Sequence, residues 1–559
     1  MTAHLTTDQT VQDSGSIPLT PETLKVAYEQ LQKQNEQLQQ QLDEQNGLIS
    51  EKTEIIDKKS VVIGAQKKRI AILEEHIRLA NHKQYGPSSE KNALQGELFN
   101  EAELLADGES DVSGEITPEL DKEEESPKKR KKRKGLSPDL VREQVIHPLS
   151  DEEKQGAIDT FFVTVKEELD IIPAKARVLE HLQEKAVFLD ADGKRSIKAA
   201  PHPAHPLGKA IASCALLAYL IISKYADGLP LYRLEGILKR YGGQITRTTM
   251  ANWLIRLSLQ VQPVVNLLEE TMLSGTYMQG DETRMRVLKE PGTQATSTKY
   301  MWVMRGGPPD RTVVMFNYDK SRGKAVAERL LDGFEGQYFQ SDGYSGYDGA
   351  CKAKGISHLG CWDHARRKFL ESIKAAPKAK KTAKPSIAHI AVSKIDALYR
   401  IERDIKEWDD EQNYNHRQIH SVAKLAELKL WLKEKQPKVD PDSKTGKAIS
   451  YTLNQWDKLI RYCDHGSLNI SNVLAENAIR PFVVGRKAWL FADTPDGARA
   501  SAIYYTLIET AKANKIDPYE YINFLISRVA AVDTVEGYEA LLPWNMKSTT
   551  DQDIQINTP

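Results

Sequence analysis

The sequence predicts a multidomain α+β protein in which an α/β core is interrupted by a helical insertion and preceded by a coiled coil, a small β-rich module and a helical region. Three observations carry this. A heptad seam runs unbroken from Leu24 to Ala80; three β-like runs, a helix and a fourth strand follow one another from Thr276; and three carboxylates, Asp281, Asp342 and Glu476, punctuate the core. With 559 residues, 40% hydrophobic and 28% charged, the chain is long enough for several domains.

The net charge of -1 conceals strong segregation. Twelve acids stand against the single Lys122 between Glu97 and Ser126, and the cations Lys128, Lys129, Arg130, Lys131, Lys132, Arg133 and Lys134 follow at once. Total charge is therefore uninformative about partners. The basic run is expected to contact DNA phosphates, although a solvated tail or a nuclear-import signal has the same composition. Four cysteines (Cys214, Cys351, Cys361 and Cys463) with no CxxC pair point to a reducing, cytosolic compartment. The longest apolar run, from Ile211, is too short for a bilayer, which needs about 20 residues, and the start has no signal-peptide pattern. No membrane partner is expected.

Residues 1–20 read as a disordered N-terminus and 21–84 as the coiled coil. One seam runs Tyr28, Asn35, Leu42, Ile49, Ile56, Ile63, Ile70, Ile77; its companion opens Leu24, Leu31, Leu38 and turns polar from Gln45 to Gln66. Repeats sustained at this spacing predict self-association into a homo-oligomer. Gly86 and Pro87 end the pattern, and 85–135 reads as a disordered acidic and basic linker. Residues 136–207 read as a β-rich module, with VREQVIHPL, FFVTVKEELDIIP and ARVLEHLQEKAVFL as strand candidates and a turn at DADG. His202 and His205 lie there, but no cysteine precedes Cys214, so zinc is not expected. In 208–272 the helical runs LYRLEGILKRYG and TRTTMANWLIRL, joined through a short glycine turn and capped by Thr246 or Thr248, resemble a helix-turn-helix. Arg247, Thr248, Thr249 and Asn252 would then face a DNA groove. An ordinary helical hairpin with Trp253 and Leu254 as core reads equally well.

The core opens in 273–373. The order β-β-β-α-β, with Asp281 and Asp342 each ending a strand, is the beginning of an RNase H-like fold. Residues 374–464 form the helical insertion, its start marked by five lysines from Lys374 to Lys384; 465–510 complete the core, and 511–559 form a C-terminal helical segment. So long a separation between Asp342 and Glu476 requires such an insertion. Three carboxylates around one site supply hard oxygen ligands for Mg²⁺ or Mn²⁺, as two ions about 3.5–4 Å apart. Taken singly, each acid could instead end a strand or decorate a helix. A zinc site from Cys351, His358, Cys361 and His364 has irregular spacing and is not expected. Glu282, Asp348 and Asp363 are left outside the triad, with Asp363 able to orient His364.

The segments SKYADGLPLYRLE, GDETRMRV, SDGYSGY, GCWDHARRKF, AENAIRPFVVGRKAWLF, LIETAKANKIDPYEYI and EALLPWN together resemble the IS66-family transposases, the large subunit encoded by that group of insertion sequences. The resemblance implies that Asp281, Asp342 and Glu476 match the DDE triad and its metal ligands. It also implies that His364, Arg366 and Arg367 match a basic cluster after the second acid, and Arg480, Arg486 and Lys487 one after the third. Two features depart from the family pattern: no CxxC pairs occur between Leu136 and Pro206, and Ser471-Asn472-Val473 stands where Asp-Asn-Asn is common.

The expected function is that of a DDE transposase, located in the bacterial cytoplasm and nucleoid-associated when bound to DNA. It would bind the inverted-repeat ends of an insertion sequence, cleave by metal-dependent phosphodiester hydrolysis, and join 3′-hydroxyl ends to target DNA by transesterification. The implied partners are double-stranded DNA, as element ends and as target, and small accessory proteins of the same element. A DNA-binding assembly protein with an inactive core, or a structure-selective RNase H-like nuclease, are the alternatives.

Overall fold

The computed structural model describes residues 21–85, scattered positions from 143 to 189, 195–201, 204–377 and 385–546. The basic run Lys128–Lys134, His202, the DADG turn, most of the lysines between Lys374 and Lys384, and the expected disordered segments lie outside the described residues. The chain divides into two compact units. One gathers the described residues of Met1–Pro87, Lys368–Ile390 and Glu434–Ser450; the other gathers those of Ser88–Arg367, Ala391–Lys433 and Tyr451–Pro559. The helices of the expected insertion are thus shared between the units.

In the first unit, α1 (Pro21–Tyr85) is a single helix of 65 residues. Its seam residues Leu42, Ile49, Ile56 and Ile63 are exposed, whereas Leu79 near its end is buried. That end is tied down: Arg78 donates from Nε to the Ala375 carbonyl at 2.8 Å, and Glu75 accepts from the Lys444 backbone N–H at 3.0 Å.

The second unit begins with a hairpin, β1 (Lys185–Leu189) and β2 (Arg195–Ala199), paired antiparallel with Leu189 opposite Arg195. The strand candidate ARVLEHLQEKAVFL is realised in its last five residues, as β1. Arg177 to Glu184, within ARVLEHLQEK, has no regular structure, and no strand occurs among the described residues of FFVTVKEELDIIP. The residues from Arg177 to Glu184 are exposed, so the β propensity of their branched side chains has no surface to pack against.

Four helices follow: α2 (Cys214–Tyr225), α3 (Leu231–Arg240), α4 (Arg247–Gln260) and α5 (Gln262–Leu273). Ser213 caps α2 by accepting from the Leu216 N–H, and Thr246 caps α4 by accepting from the Thr249 N–H. A five-stranded sheet comes next: β3 (Tyr277–Met285), β4 (Lys299–Gly306), β5 (Val313–Asp319), β6 (Tyr338–Gln340) and β7 (Ser357–Leu359), in the spatial order β5-β4-β3-β6-β7. The first three strands are antiparallel neighbours, and β6 and β7 add in parallel. Parallel addition needs crossovers, supplied by α6 (Lys324–Leu330) and α7 (Gly346–Lys354). The nearly continuous burial along β4 and the first half of β5 shows a sheet covered on both faces.

After α8 (Trp362–Ala375) come α9 (Ile387–Asp404), α10 (Asp410–His416), a π-helical turn Arg417–Ser421, α11 (Val422–Lys435), α12 (Lys444–Asn454) and α13 (Trp456–Leu459). The π turn sends Arg417 inward, where it pairs with Glu402 at 2.6 Å and donates to the carbonyls of Tyr462, His465 and Gly466. The unit continues with α14 (Val473–Trp489), α15 (Pro495–Ala513) and α16 (Pro518–Val529) and ends in a short helix, α17 (Val535–Glu539), and a 3-10 turn, Pro543–Asn545. One hydrophobic core takes residues from α2–α5, the sheet and α14–α16. Within it the Tyr225 ring stacks on Tyr504 at 5.1 Å, and the Tyr504 hydroxyl donates to the Leu254 carbonyl at 2.6 Å. Thr506 and Thr510 of α15 reach the backbone of β5, at Phe316 and Val314. No helix among the described residues is long and apolar enough to cross a membrane.

Candidate active site

Two short sequences of the same form, Gln279-Gly280-Asp281 and Gln340-Ser341-Asp342, lie on neighbouring parallel strands with Gln279 directly opposite Gln340. Side chains alternate with period 2, so Asp281 follows Gln279 on the same face, and Asp342, two residues past Gln340, lies near enough for its charge to act on Asp281. Asp281 does not end its strand, as expected from the sequence, because β3 runs on to Met285. Asp342 stands just past the end of β6.

The paired glutamines are buried and bring in the third acid. Gln279 donates from Nε2 to Gln340 Oε1 at 2.9 Å and to the Ser471 carbonyl at 3.2 Å, and its own Oε1 accepts from the Ala475 N–H at 3.2 Å. Gln340 Nε2 donates to the carbonyls of Gly360 and Asn469 at 3.0 and 2.9 Å. Between them they hold the segment that leads into α14, so that Glu476 sits in the first turn of that helix, over β3. Asn472, at the N-cap, makes no capping bond; its buried side chain donates instead toward the Gly280 carbonyl at 3.5 Å. Gly280 is required here, since a Cβ would lie 2.7 Å from the Phe339 ring.

The loop carrying Asp342 is fixed on both sides. Its Oδ1 accepts from the Tyr344 N–H at 2.9 Å, and its carbonyl accepts from the Tyr451 hydroxyl at 2.9 Å. Beneath it, Ser341 Oγ lies 2.8 Å from His358 Nε2, and His358 Nδ1 lies 2.7 Å from Asp348.

The electrostatics follow from crowding. Burial pushes the Asp281 carboxyl well above its ordinary value, and the charges of Glu476, Glu282 and Asp342 push it further. Burial also raises Glu476, to about 7; Arg367 opposes this, while Asp363 and Asp342 add to it. The raised carboxyls of Asp281 and Glu476 are groups whose charged forms a nearby positive charge would favour, and carboxylate oxygens are hard donors. Arg367 Nη2 and His364 Nδ1 each stand 3.5 Å from a Glu476 oxygen. Cys361, His364 and Glu476 also offer ligand atoms within 4.8 Å of one another. Cys351 and His358 are not part of that cluster, so the four-residue zinc arrangement weighed from the sequence is not assembled.

Glu282, left outside the triad on sequence, is an integral neighbour. Its side chain is only 3% exposed and points to the opposite face of β3, where Arg322 donates from Nε at 2.6 Å and the Tyr347 hydroxyl lies at 3.3 Å. The repeated Gln-x-Asp pattern was the available sequence signal for the site's geometry, and Tyr347 closes the SDGYSGY segment; nothing in the sequence marks Arg322.

The candidate DNA-contacting residues fall into distinct groups. Arg247, Thr248 and Asn252 are exposed on α4, while Trp253 and Leu254 are buried, so the helix carries a solvent-facing side and a core-facing side at once. His364 and Arg367 are turned to Glu476, and Arg366 pairs with Asp396 at 2.6 Å. Arg480 is half-buried one turn beyond Glu476. Arg486 donates to Thr283 Oγ1 at 3.3 Å, and Lys487 is exposed. His205 accepts at Nδ1 from the Leu207 N–H at 3.2 Å, a loop contact.

The family model described as Transposase IS66 family matches residues 209–500, that of the IS66 C-terminal element matches 506–544, and that described as Transposase C of IS166 homeodomain matches 72–145. The chain is similar to three uncharacterized proteins of Sinorhizobium fredii (strain NBRC 101917 / NGR234). Protein y4qI is 33% identical over 503 residues, covering 86% of this chain and 90% of the relative. Protein y4jD is 30% identical over 407 residues, covering 70% and 77%, and y4hP is 28% identical over 506 residues, covering 87% and 91%.

Proposed function

Since the chain belongs to the IS66 transposase family, we propose that it is a metal-dependent DNA strand-transferase whose β3–β7 sheet is an RNase H-like core with Asp281, Asp342 and Glu476 as its catalytic acids. The register of the two Gln-x-Asp segments is the observation that carries this reading. It supports two aspartates side by side on one face, with Glu476 delivered to them by the glutamine-held entry to α14.

Asp281, Asp342 and Glu476 would hold Mg²⁺ or Mn²⁺. Bound there, divalent metal supplies activation of an attacking oxygen and stabilisation of the leaving one. The chain's own residues set the geometry. The buried glutamines keep the three carboxylates converged, Tyr344 and Tyr451 fix the Asp342 loop, and Arg367 lies against Glu476 and orients its carboxylate. Water is the first nucleophile and releases a 3′-hydroxyl; that 3′-oxygen then attacks a phosphodiester of target DNA, and the phosphate leaves the target strand's own 3′-oxygen. The exposed face of α4 would read the element's ends, and the α1 seam would join copies of the chain.

Strand cleavage of a duplex taken from the DNA flanking the gene tests the proposal. Asp281→Asn, Asp342→Asn and Glu476→Gln should each lower cleavage by more than about 100-fold, since loss of even outer-shell partners costs 10–100-fold. Duplex binding should stay close to native. Native chain that binds but never cuts would leave an assembly protein with an inactive core, and cutting without joining would leave a nuclease.

A further inference from the structure

We propose that Leu490 and Phe491 form an apolar wedge that enters a base step of the bound DNA, an inference that rests on the transposase reading above. Leu490 has φ 64° and ψ −43°, and the Phe491 N–H donates across it to the Trp489 carbonyl at 2.8 Å. That three-residue ring is the rare, strained form of γ-turn. It differs from the left-handed residue that commonly ends a helix, whose ψ is positive and which is usually glycine.

The strain is held from both sides. Leu490 donates its N–H to the Arg486 carbonyl at 2.7 Å, Ala492 donates to the Arg286 carbonyl at 3.0 Å, and the Leu288 N–H returns to Ala492 at 3.1 Å. Yet the fold gains no burial from it. Leu490 is 64% exposed and Phe491 44% exposed, so a glycine at 490 would serve the turn at lower cost. A bulky residue held in a conformation it disfavours, with its side chain in solvent, points to a contact made outside the chain.

The surroundings select nucleic acid as that contact. Lys487 is exposed in the preceding turn, and Arg284 and Arg286 are exposed on β3 and its extension, which the wedge segment pairs against. Apolar tips flanked by cations suit a duplex, with phosphates taken by the cations and a base step opened by the tip. The placement also fits. Helix α14 runs from Asn472 over Gly280 to Arg486 beside Thr283, so its far end follows β3 away from the acids. At 1.5 Å per residue, Leu490 lies about 21 Å beyond Glu476, which is about six base-pair steps along a strand.

The test uses the full chain in metal-free buffer, with a duplex from the DNA flanking the gene carrying 2-aminopurine in turn at each position within about six base pairs of the element boundary. Native protein should raise the fluorescence several-fold at one or two adjacent positions. Leu490→Gly and Phe491→Ala should bind the same duplex as tightly but leave the fluorescence flat, and Leu490→Gly should melt no lower than native. A rise that persists in the double variant, or duplex binding with no rise at any position, would overturn the wedge and spare the transposase reading. A Leu490→Gly chain that melts lower would assign Leu490 a structural role instead. Failure to bind any duplex would remove both.

Discussion

Arg367 reaches toward Glu476 with Nη2 at 3.5 Å from Oε2, so a guanidinium lies beside the carboxylate that burial has raised to about 7. Two opposed effects meet on one oxygen pair: burial favours the neutral acid, and the cation favours the charged one.

A pH dependence follows. The folded pKa of Glu476 is raised above the ordinary 4.5, so the metal-free fold binds a proton that the unfolded chain has released. That contribution to stability is fully present below about pH 4.5 and is lost as pH rises through about 7, and the upward shift of Asp281 acts in the same direction. Metal-free protein should therefore melt lower at pH 8 than at pH 5.5. Glu476→Gln should regain on the order of 2–3 kcal/mol at pH 8, while Arg367→Ala should move the loss to higher pH. Calorimetry across this range checks both, and a Glu476→Gln chain with the native pH profile would count against the assignment.

The glutamine pair should matter without touching substrate. Gln340→Leu removes the donor to the Gly360 and Asn469 carbonyls, and leaving buried groups unpaired costs about 1–3 kcal/mol each. Cleavage should fall further than that destabilisation explains, because the entry to α14 loosens. Urea denaturation paired with cleavage assays on fully folded protein separates the two effects; a folded variant with native activity would show that the pair is scaffold alone.

Replacing Arg247 and Asn252 together should erode the preference for element ends over random duplex while changing total affinity less, because base contacts specify and phosphate contacts position. Neutralising Lys128–Lys134 should do the reverse, flattening the salt dependence by roughly 0.9 per lost phosphate contact. Titrations against both duplexes at several salt concentrations distinguish these. Full preference in the Arg247 and Asn252 variant would place end recognition elsewhere.

The seam of α1 should set the oligomer. Ile49→Lys, Ile56→Lys and Ile63→Lys together leave Leu79, Arg78 and Glu75 untouched at the packed end of the helix, so the first unit should keep its fold. Light scattering should then report a smaller species, and pairing of two DNA ends should be lost. An unchanged mass would rule out the seam.

Legibility varied with how local the cause was. Strands β3 to β5 were readable because their own side chains state their burial, and α14 because Glu476 and its apolar neighbours keep a helical period. Helix α7 was not readable: GYDGACKAK contains two glycines and little periodicity, and it forms because Tyr347, Ala350 and Cys351 are buried against the rest of the unit. The π turn at Arg417 likewise answers to distant carbonyls of 462–466. At the site, the acids were visible as residues, but the role of Glu282 depends on Arg322, forty positions away in sequence and brought close only by the fold.

The two outer strands of the sheet have a bearing on assembly. Along β5, the Val314 and Phe316 N–H groups donate to the Thr510 and Thr506 hydroxyls, and Thr510 donates back to the Val314 carbonyl. Along β7, the His358 carbonyl accepts from Arg461, and just past the strand the Gly360 N–H donates to the Lys458 carbonyl. Each margin thus has backbone groups already engaged by its own chain, which disfavours a second copy adding a strand there. Any copy-to-copy contact is thereby steered away from these margins, which leaves the five-stranded sheet a poor template for fibre growth.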